Sequence, residues 1–280
     1  MDLPPFRLAD NPGPFTLDGT RSYRVGRRKV VLLDPGPALD SHGSALLGFL
    51  HEAEALTIAL THGHGDHCGG LDVLLARLGS HMPGLPVEVV GPGHARARPL
   101  NLGELLFTDQ GSLSFLPTPG HTRHHGSYFW RETGVLFAGD LVLGEGTTTW
   151  VGEYQEAVAD YLESLNDVGA LKPRVLLPTH GPPLLDVPGI LHEYRRHRLA
   201  RVDAARAALT RLEVELAMKA DHPKPQGVAL VHRVAQDVYG SEIVRGPVGW
   251  AALSSTAALL HHVGLPVAPE DFVPGHAQEA

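Results

Sequence analysis

Over the first two thirds of this chain the apolar residues fall into short runs punctuated by turn residues, and over the last third they fall into helical stripes. The runs at 23–25 and 30–33 flank Gly26-Arg27-Arg28-Lys29, a β-hairpin pattern. The spacing predicts a helix over about 44–53 and then a strand over 56–61 that runs straight into His62. Leu71, Leu74, Leu75 and Leu78 share one face at the i, i+3, i+4, i+7 spacing, so 71–78 is predicted helical, and 87–90 a strand. Three more apolar runs each end at a turn: 113–116 before Pro117-Thr118-Pro119-Gly120-His121, 135–138 before Gly139-Asp140, and 174–177 before Pro178-Thr179-His180-Gly181. Four predicted strands therefore lead into a side chain able to bind a metal. Open sheets build their sites beyond the carboxyl ends of strands, so side chains distant in sequence are expected to meet at one edge.

After about Pro188 the pattern changes. Leu191, Tyr194, Val202, Ala205, Leu209, Leu212 and Leu216 form a stripe close to heptad spacing, which predicts a long helix ended by Asp221-His222-Pro223-Lys224-Pro225. Two further helices are predicted over about 227–239 and 248–262, joined by a Gly- and Pro-containing turn. The expected division is a catalytic domain over 1–188 and a small helical module over 189–280.

Composition narrows the chemistry. One cysteine, Cys68, excludes a disulfide framework within the chain and a Cys-based zinc site, so metal ligands must be histidine and carboxylate. No run of about 18 apolar residues occurs and the N-terminus lacks a leader pattern, so a cytoplasmic protein with no membrane partner is expected. Residues 1–188 hold 13 basic and 21 acidic side chains and residues 189–280 hold 10 of each, so the whole net charge of −8 lies in the first part. That balance gives no general attraction to a phosphate backbone.

The central chemical signal is Thr61-His62-Gly63-His64-Gly65-Asp66-His67, a His-x-His-x-Asp-His array between a predicted strand and a Gly-Gly helix start. Imidazole nitrogen and carboxylate oxygen are zinc donors, and seven such residues suit two ions with one ligand shared. The seven candidates are His62, His64, Asp66, His67, His121, Asp140 and His180.

Together with Asp34-Pro35-Gly36, Pro119-Gly120-His121-Thr122, Ala138-Gly139-Asp140 and Pro178-Thr179-His180-Gly181, which occur in the family's order, this array resembles the metallo-β-lactamase superfamily over about residues 15–185. The resemblance implies an α/β fold, a four-layer αβ/βα sandwich. It also implies two Zn2+ ions, with Mn2+ or Fe suiting the same donors: His62, His64 and His121 on one, Asp66, His67 and His180 on the other, and Asp140 bridging. Asp66 and Asp140 are the expected catalytic carboxylates, and the reaction expected is hydrolysis by a metal-bridging hydroxide. Asn11–Leu17, Asp140–Thr148 and Leu191–Arg198 further resemble the beta-lactamase-like protein 2 group, which implies single-stranded RNA as substrate and a winged-helix-like C-terminal module. The alternative is a thioester or other small ester, as in glyoxalase II relatives, and a small substrate suits the acidic composition better.

Other residues carry weaker signals. Asp34 is expected to hydrogen-bond backbone or a ligand histidine without touching metal. His124 and His125 are read as solvated loop residues or as substrate-facing ones. Cys68 is expected to be a small buried hydrophobe rather than a nucleophile. His42, His51, His81, His94, His222, His232, His261, His262 and His276 have no ligand-type partners at useful spacing and are read as structural or surface residues. Arg195, Arg198 and Arg201, with Arg196 and Arg206, form either a phosphate-binding wall or an exposed salt-bridged helix face. Glu145-Gly146-Thr147-Thr148 has no assigned role.

Overall fold

In the computed structural model, which describes residues 3–218 and 225–274, β1 (Phe6–Leu8), β2 (Arg21–Val25), β3 (Lys29–Leu33), β4 (Ala55–Ala59) and β5 (Val87–Val90) form one sheet in that order. The predicted hairpin is β2–β3, antiparallel with Tyr23 opposite Leu33. β3, β4 and β5 run parallel because helical crossovers join them: α1 (Asp40–Phe49) between the first two, α2 (Gly65–Cys68) and α3 (Leu71–His81) between the second two. One face of this sheet, with Val30, Leu32, Leu56 and Ile58, packs against Leu46 and Phe49 of α1 and Leu71, Leu74 and Leu78 of α3. The alternate residues Val31, Leu33 and Ala59 point the other way, into a second core. Burial on both faces is why these strands read as continuous apolar runs.

The second sheet contains β6 (Leu105–Thr108), β7 (Gly111–Pro117), β8 (Gly126–Trp130), β9 (Val135–Gly139) and β10 (Val175–Pro178), in the order β10-β9-β8-β7-β6. Only β9 and β10 pair in parallel. Leu113, Phe115, Tyr128, Phe137 and Leu177 from this sheet meet Tyr23, Val31 and Leu33 of the first, closing the sandwich core.

The sequence places α1 four residues too late. Leu39 is extended and Asp40 opens the helix, its carboxylate set against the positive end of the helix dipole. Leu50 and Ala53, which draw the expected end further on, are buried core residues outside the helix. β8 was not expected, since its first residues are Gly126 and a buried Ser127 that bonds Thr118 Oγ1 at 2.9 Å, so polarity hides a central strand.

This first compact unit comprises the chain up to Thr118, His124–Thr147 and Asp167–Ile190. The second comprises Pro119–Arg123, Thr148–Asn166 and the chain from Leu191. It holds most of α4 (Ala157–Ala170) and α5 (Val187–Met218), together with α6 (Gly227–Tyr239), α7 (Ser241–Arg245), α8 (Gly249–His262) and a 3-10 turn at Pro269–Phe272. Along α5, Leu191, Tyr194, Val202 and Ala205 are buried as the stripe predicts, while Leu209, Leu212 and Leu216 are half-buried. The expected turn between the last two helices contains α7. Among the described residues of 189–280 there are helices and no strand. The expected terminator at 221–224, with His222, and His276 lie outside the described residues. Among the described residues no helix is long and apolar enough to cross a membrane.

Candidate metal centre

The site begins with Asp34 at the end of β3. Its φ of +51° lies in the left-handed region that a non-glycine residue enters at a cost. That conformation turns a 1% exposed carboxylate toward the end of β4, where Oδ1 accepts the Thr61 N–H at 2.8 Å. Oδ2 accepts the Thr61 hydroxyl at 2.7 Å and His67 Nδ1–H at 2.8 Å. Asp34 thus binds backbone and a ligand-type histidine, as the sequence suggests.

These bonds decide where each imidazole keeps its lone pair. His67 donates from Nδ1, so in the neutral ring the basic atom is Nε2. His180 Nδ1 donates to the Gly19 carbonyl at 3.1 Å, which leaves Nε2 basic there as well. Thr61 gives its hydroxyl proton to Asp34, so it accepts from His62 Nδ1 at 3.0 Å, and His62 Nε2 faces His64 Nδ1 at 3.0 Å. His67 Nε2 lies 3.2 Å from His180 Nε2 and 3.4 Å from Asp140 Oδ1. Asp66 Oδ2 lies 3.2 Å from His180 Nε2. The donor atoms of Asp66, His67 and His180, and those of His62, His67 and Asp140, each fall within 4.8 Å of one another.

The donor set fits a cation. Lone pairs facing each other at about 3 Å beside two carboxylates repel unless positive charge lies between them. The fields on these groups point the same way. Burial alone would lower the basicity of His67, but Asp140 and Asp34 outweigh it and raise the ring well above the ordinary histidine range. His180 is likewise opposed by burial and raised by Asp140 and the Asp66 hydrogen bond. Burial pushes the Asp66 carboxyl up, yet the His180 hydrogen bond and the His67 charge hold it below its usual value. A pocket that draws protons onto its histidines would hold a metal cation by the same attraction.

Close backbone approaches carry the array. Gly63 passes the Gly93 carbonyl so tightly that a Cβ would lie 2.5 Å from its oxygen. Buried Cys68 donates its thiol to the Gly63 carbonyl at 3.2 Å, and burial raises its pKa, so it is a packed residue rather than a reactive thiolate.

His121 belongs to the second unit, on the turn after β7. It follows Gly120, whose φ of +133° and approach to Tyr161 (2.5 Å for a Cβ) leave no room for a side chain. His121 Nδ1 donates to the Trp150 carbonyl at 2.9 Å, which again leaves Nε2 basic.

Two expectations are corrected. His125 is neither solvated nor substrate-facing: it is 2% exposed. Its Nδ1 donates to the Thr118 carbonyl at 3.0 Å, and its Nε2 accepts the Asp140 N–H at 3.0 Å. It fixes the backbone that presents Asp140, a role only its tertiary partners reveal. His124 is exposed. The arginines do not form one wall or one exposed face either. Arg198 is 3% exposed and donates to the Thr149 carbonyl, Arg195 donates to Leu162 O and Asn166 Oδ1, and Arg201 donates to the Val238 carbonyl. Arg196 and Arg206 pair on the surface with Glu193 and Asp203 one turn away.

Comparison with known proteins gives the family and the fold. The model of the family described as the metallo-beta-lactamase superfamily matches residues 16–180. A beta-lactamase-like protein 2 homolog from Caenorhabditis elegans is 33% identical over 241 residues, covering 81% of this chain and 80% of that protein. An atrochrysone carboxyl ACP thioesterase from Aspergillus chevalieri is 33% identical over 238 residues, covering 84% of this chain and 72% of that one. Among solved structures, a metallo-beta-lactamase family protein from Thermus thermophilus superposes with a TM-score of 0.63 at 24% identity, covering 92% of each chain, a likeness of fold. Two mixed sheets packed face to face, a His/Asp cluster at their strand ends and a family match spanning more than half the sequence make this chain a member of the metallo-β-lactamase superfamily and a hydrolase of that fold.

Proposed function

We propose that the chain is a binuclear metal-dependent hydrolase acting on a thioester or other small ester. His62, His64 and His121 would hold one ion, Asp66, His67 and His180 the other, with Asp140 shared between them. Nitrogen and carboxylate donors suit zinc, and manganese or iron accept the same set. The observation that carries this reading is the tautomer pattern: hydrogen bonds at Nδ1 of His62, His67 and His180 turn each basic Nε2 inward. When bound, the metal pair would supply Lewis acidity and bring the pKa of water to about 7. The chain's own residues do the rest. Asp34 and Thr61 lock the rings, and His125 holds the Asp140 backbone. Asp66, with 28% of its side chain exposed, is ionised at neutral pH and can orient an entering water.

The small-ester reading is favoured by the arginines, since three of the cations that could have met a phosphate backbone are spent on internal carbonyls. Net charge points the same way. Single-stranded RNA with a winged-helix-like C-terminal reader is the second reading, supported by the likeness to the beta-lactamase-like protein 2 homolog. The test is a panel of metal-reconstituted protein on a glutathione thioester, an acyl-carrier thioester, single-stranded RNA and a lactam, with Asp140→Asn as control. Thioester turnover that disappears in the control is expected. RNA cleavage with binding that weakens steeply in salt would favour the second reading. Full activity in Asp140→Asn would overturn the metal assignment.

A further inference from the structure

The second unit contains two short pieces from the middle of the chain beside the C-terminal helices: the turn Pro119–Arg123 and the segment Thr148–Asn166. Their contacts form a continuous path. Trp150 accepts the His121 Nδ1–H through its carbonyl, and its indole stands edge-on to the His121 ring at 5.8 Å. The indole N–H donates to Ser254 Oγ of α8 at 3.0 Å, and its ring meets Trp250 of α8 edge-on at 5.1 Å. Two residues further on, Gly152 lies so close to α8 that a Cβ would be 2.6 Å from the Ser255 nitrogen. On the other side of Trp150, the Thr149 carbonyl accepts from buried Arg198 of α5 at 3.0 Å. Segment 149–152 is thus gripped at Thr149 by α5 and at Trp150 and Gly152 by α8.

We propose that the C-terminal helices α5 and α8 form a positioning frame for His121: by holding segment 149–152 they fix the Trp150 carbonyl that sets the tautomer and direction of that ring. Trp150, Gly152, Arg198 and Ser254 are then positioning residues for one of the two ions. The proposal rests on His121 being a metal ligand, as put forward above. The physical logic is that of outer partners of a ligand histidine. A carbonyl on one ring nitrogen orients the other, and losing such a partner weakens metal binding by about 10- to 100-fold. Here the partner is a backbone atom, so side chains two bonds removed, on helices late in the chain, control it. The half-buried Trp150 indole N–H and the buried Arg198 guanidinium each spend a donor on bonds that tie this segment to α8 and α5, and losing such a bond costs free energy, which makes the segment's place well defined.

The experiment uses full-length protein reconstituted with zinc, counting retained metal by elemental analysis across a chelator series, and repeats the titration with cobalt to follow each ion by its absorption. The variants are Ser254→Ala, Trp150→Phe, the double variant, Gly152→Ala and His121→Ala. Each of the first four is expected to release one ion at roughly 10- to 100-fold lower chelator concentration while the other ion stays at its original midpoint. The double variant should fall no further than either single one, because both delete the same hydrogen bond. Trp150→Phe keeps the carbonyl and an aromatic ring while deleting the N–H donor, so it carries the test should Ser254→Ala fail to fold. If His121→Ala loses one ion while the other variants keep both within about twofold of the parent midpoint, the frame is refuted and the ligand assignment stands. If His121→Ala keeps both ions, the ligand assignment fails, and the frame with it.

Discussion

Replacing Asp34 with asparagine changes one atom's proton inventory and almost no volume, so its effect isolates the tautomer logic of the site. In the parent, a single buried oxygen, Oδ2, accepts both the Thr61 hydroxyl and His67 Nδ1–H at 2.7 and 2.8 Å. Asparagine can keep its carbonyl on the Thr61 N–H, but its amide then points two hydrogens at two donors. His67 relieves the conflict by moving its proton to Nε2, where it faces the other donors of the pocket. Losing two charge-assisted bonds at about 1.5–3 kcal/mol each, with partial repair by the tautomer shift, gives a destabilisation of roughly 2–4 kcal/mol. At 2–4 °C per kcal/mol that is a fall in Tm of about 4–16 °C for the metal-free protein. The ion proposed to take His67 as a ligand should bind about 10- to 100-fold more weakly, equivalent to ~1.4–2.7 kcal/mol. Thermal denaturation and competition with a chromophoric chelator read the two effects separately. Parent-like binding of both ions by Asp34→Asn would refute the claim that Asp34 sets the protonation of His67.

His125→Phe fills the same space but leaves the buried Asp140 N–H without its acceptor, so a loss of about 1–3 kcal/mol is expected from chemical denaturation, with turnover falling further than stability. An unchanged denaturation midpoint would show that the bond contributes nothing. Gly63→Ala drives a Cβ to 2.5 Å from the Gly93 carbonyl oxygen, and displacing His62 and His64 with it should abolish two-metal binding in elemental analysis while circular dichroism keeps the sheet signal. His42 is buried and bonded to Ser22 Oγ at 2.9 Å, and burial lowers its pKa to about 4. Because the unfolded ring takes up its proton first, this stabilisation is complete above about pH 6.5 and is lost as pH falls toward 4. A pH series of melting temperatures should therefore show a slope in that window that His42→Gln flattens, and an identical slope in the variant would count against it.

The alternation and run lengths of the apolar residues determined β3, β4, β5, β9 and β10 and the helices α3, α5, α6 and α8, because strands buried on both faces and helices with one buried face write their periods directly. The His/Asp array and the three later strand-end residues proposed as ligands were equally legible, since each is a histidine or aspartate placed just past a strand by a glycine-containing turn. What the pattern did not carry depends on partners outside the local run, on another strand, turn or helix. Ser127 looks polar until Thr118 is beside it, and His125 looks like a loop residue until the Asp140 amide is set against its ring. Arg195, Arg198 and Arg201 read as surface charge until the carbonyls they bind are in place. Hydrophobic period is a local property that one sequence shows by itself. The protonation of an imidazole or the burial of a guanidinium is fixed by hydrogen-bond partners that can lie tens of residues away, as Asp34 does from His67 and Thr149 from Arg198, and only the tertiary structure decides which those are.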